Sequence, residues 1–282
     1  MSRVLVAGCG DIGARLGVQL SADGHEVWGL RRSAGELPAP MRLLQADLTV
    51  AGELVRLPEG IDAVVYTATA DSYDDLAYES AYVRGPRTLL QALAAAGQMP
   101  RRIIFVSSTS VYAQDDGGWV DEDSPAESES FSGRRLMEGE RVVLDGPLPA
   151  IVVRFGGIYG PGRNRLLERV RDGKPCRETP PLFTNRIHRD DCAATLRHLL
   201  MLDGPERIYL GVDCAPAPQC EVMDWLASRL GVSPPPRTSP ADAARGGGRG
   251  SNKRCRNDRL LSSGYRFIYP TYREGYSAVL EG

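Results

Sequence analysis

No Cys-x-x-Cys pair occurs in this 282-residue chain, and it has only three histidines, His25, His188 and His198. Structural zinc and other metal clusters need grouped ligands, so no metal site is expected. The six cysteines, Cys9, Cys176, Cys192, Cys214, Cys220 and Cys255, are scattered. A disulfide framework is therefore not expected either, and a reduced, cytoplasmic setting is. No apolar run is long enough to span a bilayer. The N-terminus lacks the charged, apolar, small-residue order of a signal peptide. Charge of either sign is not in excess: the formal net charge is -2, which offers no general attraction for nucleic acid or an anionic membrane. What remains is an ordinary globular composition, 42% hydrophobic and 25% charged. Such a chain can form one large domain or a major and a minor lobe.

Glycine is placed rather than scarce. Arg3 to Ala7 reads as a short buried strand, and Asp11 to Leu20 has apolar residues at helical spacing. Between them Gly8-Cys9-Gly10-Asp11-Ile12-Gly13 matches G-x-G-x-x-G. Glycines allow the tight strand-to-helix turn, the approach of backbone to a pyrophosphate, and close packing of helix on strand. Free amides at the helix start then meet the phosphate charge. The motif alone is weak; on the first strand and opening the first helix it marks a nucleotide site.

Further strands are expected at Glu26 to Leu30, Arg42 to Gln45, Ala63 to Tyr66, Arg101 to Ser108 and in "PAIVVRF", with a long helix from about Asp74 to Ala96 and another from about Gly133. "RIYLGVD" returns to strand character. This alternation predicts an α/β fold, a doubly wound parallel sheet with a small C-terminal lobe. The expected core is 1–155 plus 186–213, and the expected lobe 156–185 plus 214–282. "SPPPRTSPADAARGGGRGSNKR" reads as a mobile surface loop.

Six segments occur in a recognisable order: "VAGCGDIG", "QADL", "VVYTATA", "VSSTSVY", "VRFGGIYGPG" and "RIHRDDCA". Together they resemble the extended short-chain dehydrogenase/reductases, the superfamily of the NAD-dependent epimerase/dehydratases. The resemblance runs over nearly the whole chain and is nearest to a small, atypical bacterial branch. That family usually shows G-x-x-G-x-x-G, a register that here is Ala7, Gly10 and Gly13 with Gly8 added.

The resemblance implies a nicotinamide dinucleotide held by Gly8, Gly10, Asp11, Ile12 and Gly13. Asp47 and Leu48 match the adenine-contacting pair, Ala68 falls beside the nicotinamide-side ribose, and Phe155 lies on the cofactor side. At the end of the second strand NAD enzymes carry an acid, whereas this chain has Arg31 and Arg32, with Glu36 further on. Two guanidinium groups suit a 2′-phosphate, so NADP is the expected cofactor. The alternative is two solvated surface arginines.

The family chemistry implies a Ser or Thr that orients the substrate oxygen, matched by Ser108. It also implies a Tyr-x-x-x-Lys pair, and here Phe131 and Arg135 stand in its place. Phenylalanine has no proton to exchange, and arginine keeps the charge but does not deprotonate usefully. Tyr82, in "AYVRGPRT", occupies a family asparagine position and is a candidate replacement acid activated by the nicotinamide charge and Arg135; packing is the alternative. Asp190 or Asp191 is expected to cap a helix, and Tyr159 is a candidate substrate contact. Arg163, Arg165, Lys253, Arg254 and Arg256 are candidate contacts for an anionic small-molecule substrate such as a nucleotide sugar. A homodimer is compatible with the sequence. Two functions follow: an NADP-dependent oxidoreductase or epimerase acting by hydride transfer, or a non-catalytic protein that senses the NADP redox state or holds a metabolite without turnover.

Overall fold

The computed structural model describes residues 1–238 and 252–282. Its elements in chain order are β1 (Arg3–Ala7), α1 (Asp11–Ala22), β2 (Glu26–Arg31), β3 (Arg42–Gln45), β4 (Ala63–Tyr66), α2 (Asp75–Glu79), α3 (Gly85–Ala95), β5 (Arg102–Ser108), β6 (Trp119–Val120), α4 (Phe131–Leu144), β7 (Ala150–Phe155), β8 (Gly157–Tyr159), α5 (Arg165–Arg171), β9 (Phe183–Thr184), β10 (Arg186–His188), α6 (Arg189–Met201), β11 (Ile208–Gly211), β12 (Ala217–Pro218), α7 (Gln219–Leu230) and β13 (Arg254–Cys255). Two further helices cover Asp258–Ser262 and Tyr272–Glu281.

Seven strands form a mostly parallel sheet in the order β11-β7-β5-β4-β1-β2-β3. The strands are apolar almost throughout because helices cover both faces of such a sheet. All four residues of β4 are buried, as are four of five in β1. Chain order reverses between β1 and β4, the switch point where doubly wound sheets bind ligands.

The chain divides into two compact units. One comprises Met1–Val111, Ala126–Arg154 and Cys192–Tyr209, the other Tyr112–Pro125, Phe155–Asp191 and Leu210–Gly282. This division departs from the expected boundaries at residues 112–125, 155, 186–191 and 210–213. Residues 112–125 belong to the second unit because β6 pairs in parallel with β13 and the Glu122 carboxylate accepts the Leu210 amide at 2.9 Å. Residues 186–191 follow because β10 pairs with β8.

The first unit's core gathers Leu5, Leu30, Val64, Tyr66, Leu89 and Phe105 among others, and Tyr66 stacks on Phe105 with ring centroids 5.6 Å apart. Its long helix is interrupted. Ser80–Arg84 takes a π-helical turn between α2 and α3. Pro86 lacks the N–H that an α-helix would aim at the Tyr82 carbonyl. The Tyr66 hydroxyl inserts there, donating to the Ala81 carbonyl at 2.5 Å, and a Cβ on Gly85 would lie 2.2 Å from it. A side chain entering the ladder is a recognised cause of such a turn.

The second unit has its own core of Tyr159, Leu167, Met223, Leu226, Tyr272 and Tyr276 with their neighbours. Cys176 and Cys220 are joined by a disulfide within this unit, which corrects the expectation of reduced cysteines; Cys9, Cys192, Cys214 and Cys255 take no part in a disulfide. Pairing of cysteines 44 residues apart depends on the fold around them, not on local spacing. Of the proline- and glycine-rich stretch expected to be a mobile loop, residues 239–251 lie outside the described residues.

Candidate functional site

Gly8 is where the turn after β1 passes against the end of β4. Its φ is +83°, and a Cβ there would lie 2.3 Å from the Ala68 Cα, so only glycine satisfies both demands. The Gly8 and Cys9 amides donate to the Leu30 carbonyl at 2.9 and 2.8 Å, and the Thr67 hydroxyl donates to the Gly8 carbonyl at 2.9 Å. The turn is thus tied to both β2 and the residue after β4. At Gly13 a Cβ would sit 2.9 Å from Val6 Cγ1, which is the close packing of α1 on β1. Gly10 differs: the nearest atom to a Cβ there is the Gly8 carbonyl oxygen at 4.0 Å.

Space above Gly10 therefore opens in front of the first turn of α1. Amides of that turn, those of Ile12 and Gly13 included, lack intrahelical acceptors by helix geometry, and the helix dipole adds positive potential. Asp11, also in this turn, pairs with Arg15 at 3.3 Å. The Cys9 thiol is buried, and burial pushes it up to about 11, so it packs rather than reacts.

Two arginines border this turn. Arg31 Nη2 donates to the Glu36 carbonyl at 3.1 Å, while its Nε is buried with no hydrogen-bond partner. Arg32 Nη2 contacts Asp71 Oδ1 at 2.6 Å, with both side chains more than half exposed. Asp47 Oδ1 accepts from the Thr49 amide and hydroxyl at 2.8 and 2.7 Å. Burial works to raise its carboxyl, and these bonds carry it below its ordinary value. Leu48 beside it is buried. A dinucleotide fits this set: a glycine cradle, donor amides, and a buried guanidinium nitrogen without a partner. Gly8, Gly10, Asp11, Ile12, Gly13 and Ala68 are brought together by the turn. Phe155 falls in the second unit, its ring filling the space beside Gly211, where a Cβ would lie 2.2 Å from it.

The segments expected to carry acid and base also meet in the first unit. Ser108 ends β5, and its hydroxyl accepts the Ser110 amide at 3.2 Å. Phe131 is the first residue of α4, capped by Ser130, whose hydroxyl accepts the Gly133 amide at 3.0 Å. Gly133 lets this end lie against the turn after β5, since a Cβ there would be 2.9 Å from the Ser110 carbonyl. Beneath it, Glu140 is buried in a bidentate pair with Arg154, at 3.0 and 2.7 Å, and accepts the Ser107 hydroxyl at 2.6 Å. This carboxylate and guanidinium fix α4 to β5 and β7. Sequence reading missed them, although a Glu on the apolar stripe of a helix and an Arg within "IVVRF" were the available signals.

Phe131 packs among tyrosines. Its ring lies 4.9 Å from Tyr73 and 5.5 Å from Tyr78, and Tyr78 lies 5.2 Å from Tyr82. Tyr82 does not have the environment of an activated acid. Burial pushes its phenol up to about 12, with Tyr78 adding to the rise and the Ala70 backbone opposing it. Arg135 is likewise turned elsewhere. It forms a fork with Asp75, Nε to Oδ1 at 2.9 Å and Nη2 to Oδ2 at 2.8 Å, and Nη1 donates to Glu138 at 2.9 Å. Charge complementarity draws the guanidinium to two carboxylates instead of presenting it to a ribose.

Other expectations resolve in the second unit. Tyr159 is 3% exposed and stacks on Tyr276 at 4.3 Å, so packing replaces the expected substrate contact. Lys253 is buried and donates to the Tyr112 carbonyl at 3.3 Å, while Arg254 and Arg256 lie over the Trp119 ring. Asp191 does not cap α6; its carboxylate accepts the Tyr265 hydroxyl at 2.7 Å and the Ile268 and Tyr269 amides at 2.8 and 3.0 Å. Among the described residues, no helix is long and apolar enough to cross a membrane.

Comparison with known proteins identifies the family. The NAD dependent epimerase/dehydratase family profile matches residues 4–191. A 3-diazoavenalumate denitrifying reductase of a Streptomyces species is 31% identical over 264 residues, covering 86% of each chain. Human epimerase family protein SDR39U1 is 28% identical over 291 residues, 95% of this chain and 96% of that protein. Its structure with NADPH superposes with a TM-score of 0.79 at 23% identity, covering 99% of both chains. A structure from Methylobacillus flagellatus, described as an NAD-dependent epimerase/dehydratase, gives a TM-score of 0.84 at 39% identity, covering 99% of this chain and 98% of that one.

Proposed function

The chain belongs to the NAD dependent epimerase/dehydratase family, and on that premise we propose that it is an NADPH-dependent oxidoreductase acting on a hydroxyl or carbonyl carbon of a small molecule. One observation carries this reading. The Gly8 turn, closed against Ala68 and open above Gly10, stands beside Arg31, whose Nε is buried without a partner. Backbone amides of the α1 first turn would hold the pyrophosphate, and Arg31 and Arg32 the 2′-phosphate. Asp47 and Leu48 would meet the adenine. A reduced nicotinamide, when bound, supplies a hydride. Ser108 would orient the substrate oxygen from the end of β5. SDR39U1 with NADPH supports the cofactor choice, and the Streptomyces reductase supports reductive chemistry.

The experiment is calorimetric titration with NADPH and NADH, followed by single-turnover oxidation of bound NADPH over a panel of carbonyl compounds. Binding of NADPH with turnover of any member supports the proposal; no binding of either dinucleotide removes it. Phe131, with no exchangeable proton, and the carboxylate-bound Arg135 favour a second reading, an NADP-binding sensor. Tight NADPH binding without turnover of any panel member would select it.

A further inference from the structure

The relay normally built from a tyrosine and a lysine cannot operate through Phe131 and Arg135. Hydroxyl groups nevertheless converge on the start of α4. Tyr73 packs edge-on against Phe131 with centroids 4.9 Å apart, and its hydroxyl lies 3.4 Å from Ser132 Oγ. Ser132 Oγ lies 3.2 Å from Ser130 Oγ, which is 2.9 Å from Ser128 Oγ. Ser132 and Ser128 are buried, whereas Ser130 and Tyr73 are exposed. The helix start is held against the turn that carries Ser108, because Ser128 donates its amide to the Val111 carbonyl at 3.0 Å.

We propose that Tyr73 is the proton donor that replaces the missing phenol of Phe131, and that Ser132 and Ser130 return a proton to it from solvent. The inference rests on the oxidoreductase reading. In the reducing direction the substrate carbon gains the hydride, its oxygen takes the Tyr73 proton, and the C=O becomes CH–OH. The Tyr73 phenolate then takes the Ser132 proton, Ser132 takes that of Ser130, and Ser130 is restored by water. Ser130 already accepts the Gly133 amide, which leaves its own proton to be donated along the chain. The first two links are long for hydroxyl pairs, as catalytic hydrogen bonds often are before a site fills.

Tyr73 suits this role better than Tyr82. Its side chain reaches solvent, with 44% of its surface exposed. Tyr82 is the phenol that burial pushes up to about 12. No substrate is needed for the test. In full-length protein labelled with ¹³Cζ-tyrosine, Tyr73→Phe assigns the Tyr73 signal, and its titration midpoint is then followed by NMR. Saturating NADP⁺ should lower that midpoint by about half a pH unit or more, because the oxidised nicotinamide carries positive charge. Ser132→Ala should raise it by a similar amount, roughly the worth of one hydrogen bond, and Ser132→Thr should restore it.

A midpoint indifferent to bound NADP⁺ overturns Tyr73 as the donor. A midpoint indifferent to Ser132→Ala overturns the relay. Calorimetry on the same samples separates these from failure of the functional reading, which is shown by wild-type protein that binds no dinucleotide.

Discussion

Arg135 and Asp75 face each other across 60 residues of sequence and join by two parallel bonds, Nε to Oδ1 at 2.9 Å and Nη2 to Oδ2 at 2.8 Å. Both bonds raise the guanidinium further above its ordinary pKa, together with the bond to Glu138. A group so engaged is not offered to a ribose. Arg135→Lys should therefore change NADPH affinity by less than about threefold, well under the tenfold that 1.4 kcal/mol of lost contact represents. Asp75→Asn, which frees part of the guanidinium, should raise affinity instead. Isothermal titration of the two variants decides; a tenfold loss in Arg135→Lys would restore the family role.

Selectivity for NADPH should reside at the end of β2. Replacing Arg31 and Arg32 by Ala should erase a preference over NADH of about 1–3 kcal/mol, the range of charge-assisted bonds. Asp71→Asn should strengthen NADPH binding, since Asp71 competes for Arg32 at 2.6 Å. Equal affinities for both dinucleotides in the wild type would dismiss the assignment.

Gly8 and Gly10 should respond differently to the same methyl group. Gly8→Ala brings a Cβ to 2.3 Å from Ala68 and forces φ +83° on an L side chain, so Tm should fall clearly. Gly10→Ala meets no atom closer than the Gly8 carbonyl oxygen at 4.0 Å and should leave Tm nearly unchanged while weakening dinucleotide binding, because the methyl enters the space for the pyrophosphate. Thermal scans paired with titration test the contrast, which fails if Gly10→Ala binds as well as the wild type.

Asp213 is 2% exposed in the second unit, and one carboxylate oxygen, Oδ2, has no hydrogen-bond partner. Burial pushes its pKa up to about 7, opposed by Arg186 and the Ala215 amide and reinforced by Asp191 and Glu274. With the folded pKa above the unfolded value, near 3.9, the folded state holds the extra proton between the two. The stabilisation is fully present below pH 4 and is lost as pH rises through about 7. Asp213→Asn should flatten this part of the Tm–pH curve and be the more stable form at pH 8. A curve of unchanged shape in the variant would exclude Asp213 as its source.

Alkylation of unfolded, unreduced protein should label four of the six cysteines, leaving Cys176 and Cys220 protected. Their bridge closes a separation of 44 residues, for which chain entropy predicts about 2–4 kcal/mol. Reduction should therefore lower Tm, and Cys176→Ala with Cys220→Ala should reproduce the loss. Six labelled cysteines in the mass spectrum would refute the bridge.

The local features were legible from the sequence because their physics is local. Apolar runs of strand length, helical spacing after Asp11 and the glycine turn between them specify the first strand, turn and helix within 20 residues. Repetition of such units announced a doubly wound parallel sheet, while its order, β11-β7-β5-β4-β1-β2-β3, belongs to the tertiary structure. Segment order also located Phe131 and Arg135 where an acid and a base were expected. Sequence could not say what surrounds them. Arg135 meets Asp75 at a separation of 60, Tyr73 meets Ser132 at 59, and Cys176 meets Cys220 at 44. Each pairing depends on which helix faces are brought together and how closely, and on backbone details such as the missing N–H of Pro86 and the missing Cβ of Gly133. A guanidinium bonds whichever carboxylate the fold brings within 3 Å, and burial moves a phenol's pKa without changing a letter of the sequence. Tertiary packing alone therefore decided that Arg135 is occupied, that Tyr82 is half-buried with its phenol pushed up, and that the Tyr73 side chain beside Phe131 is exposed.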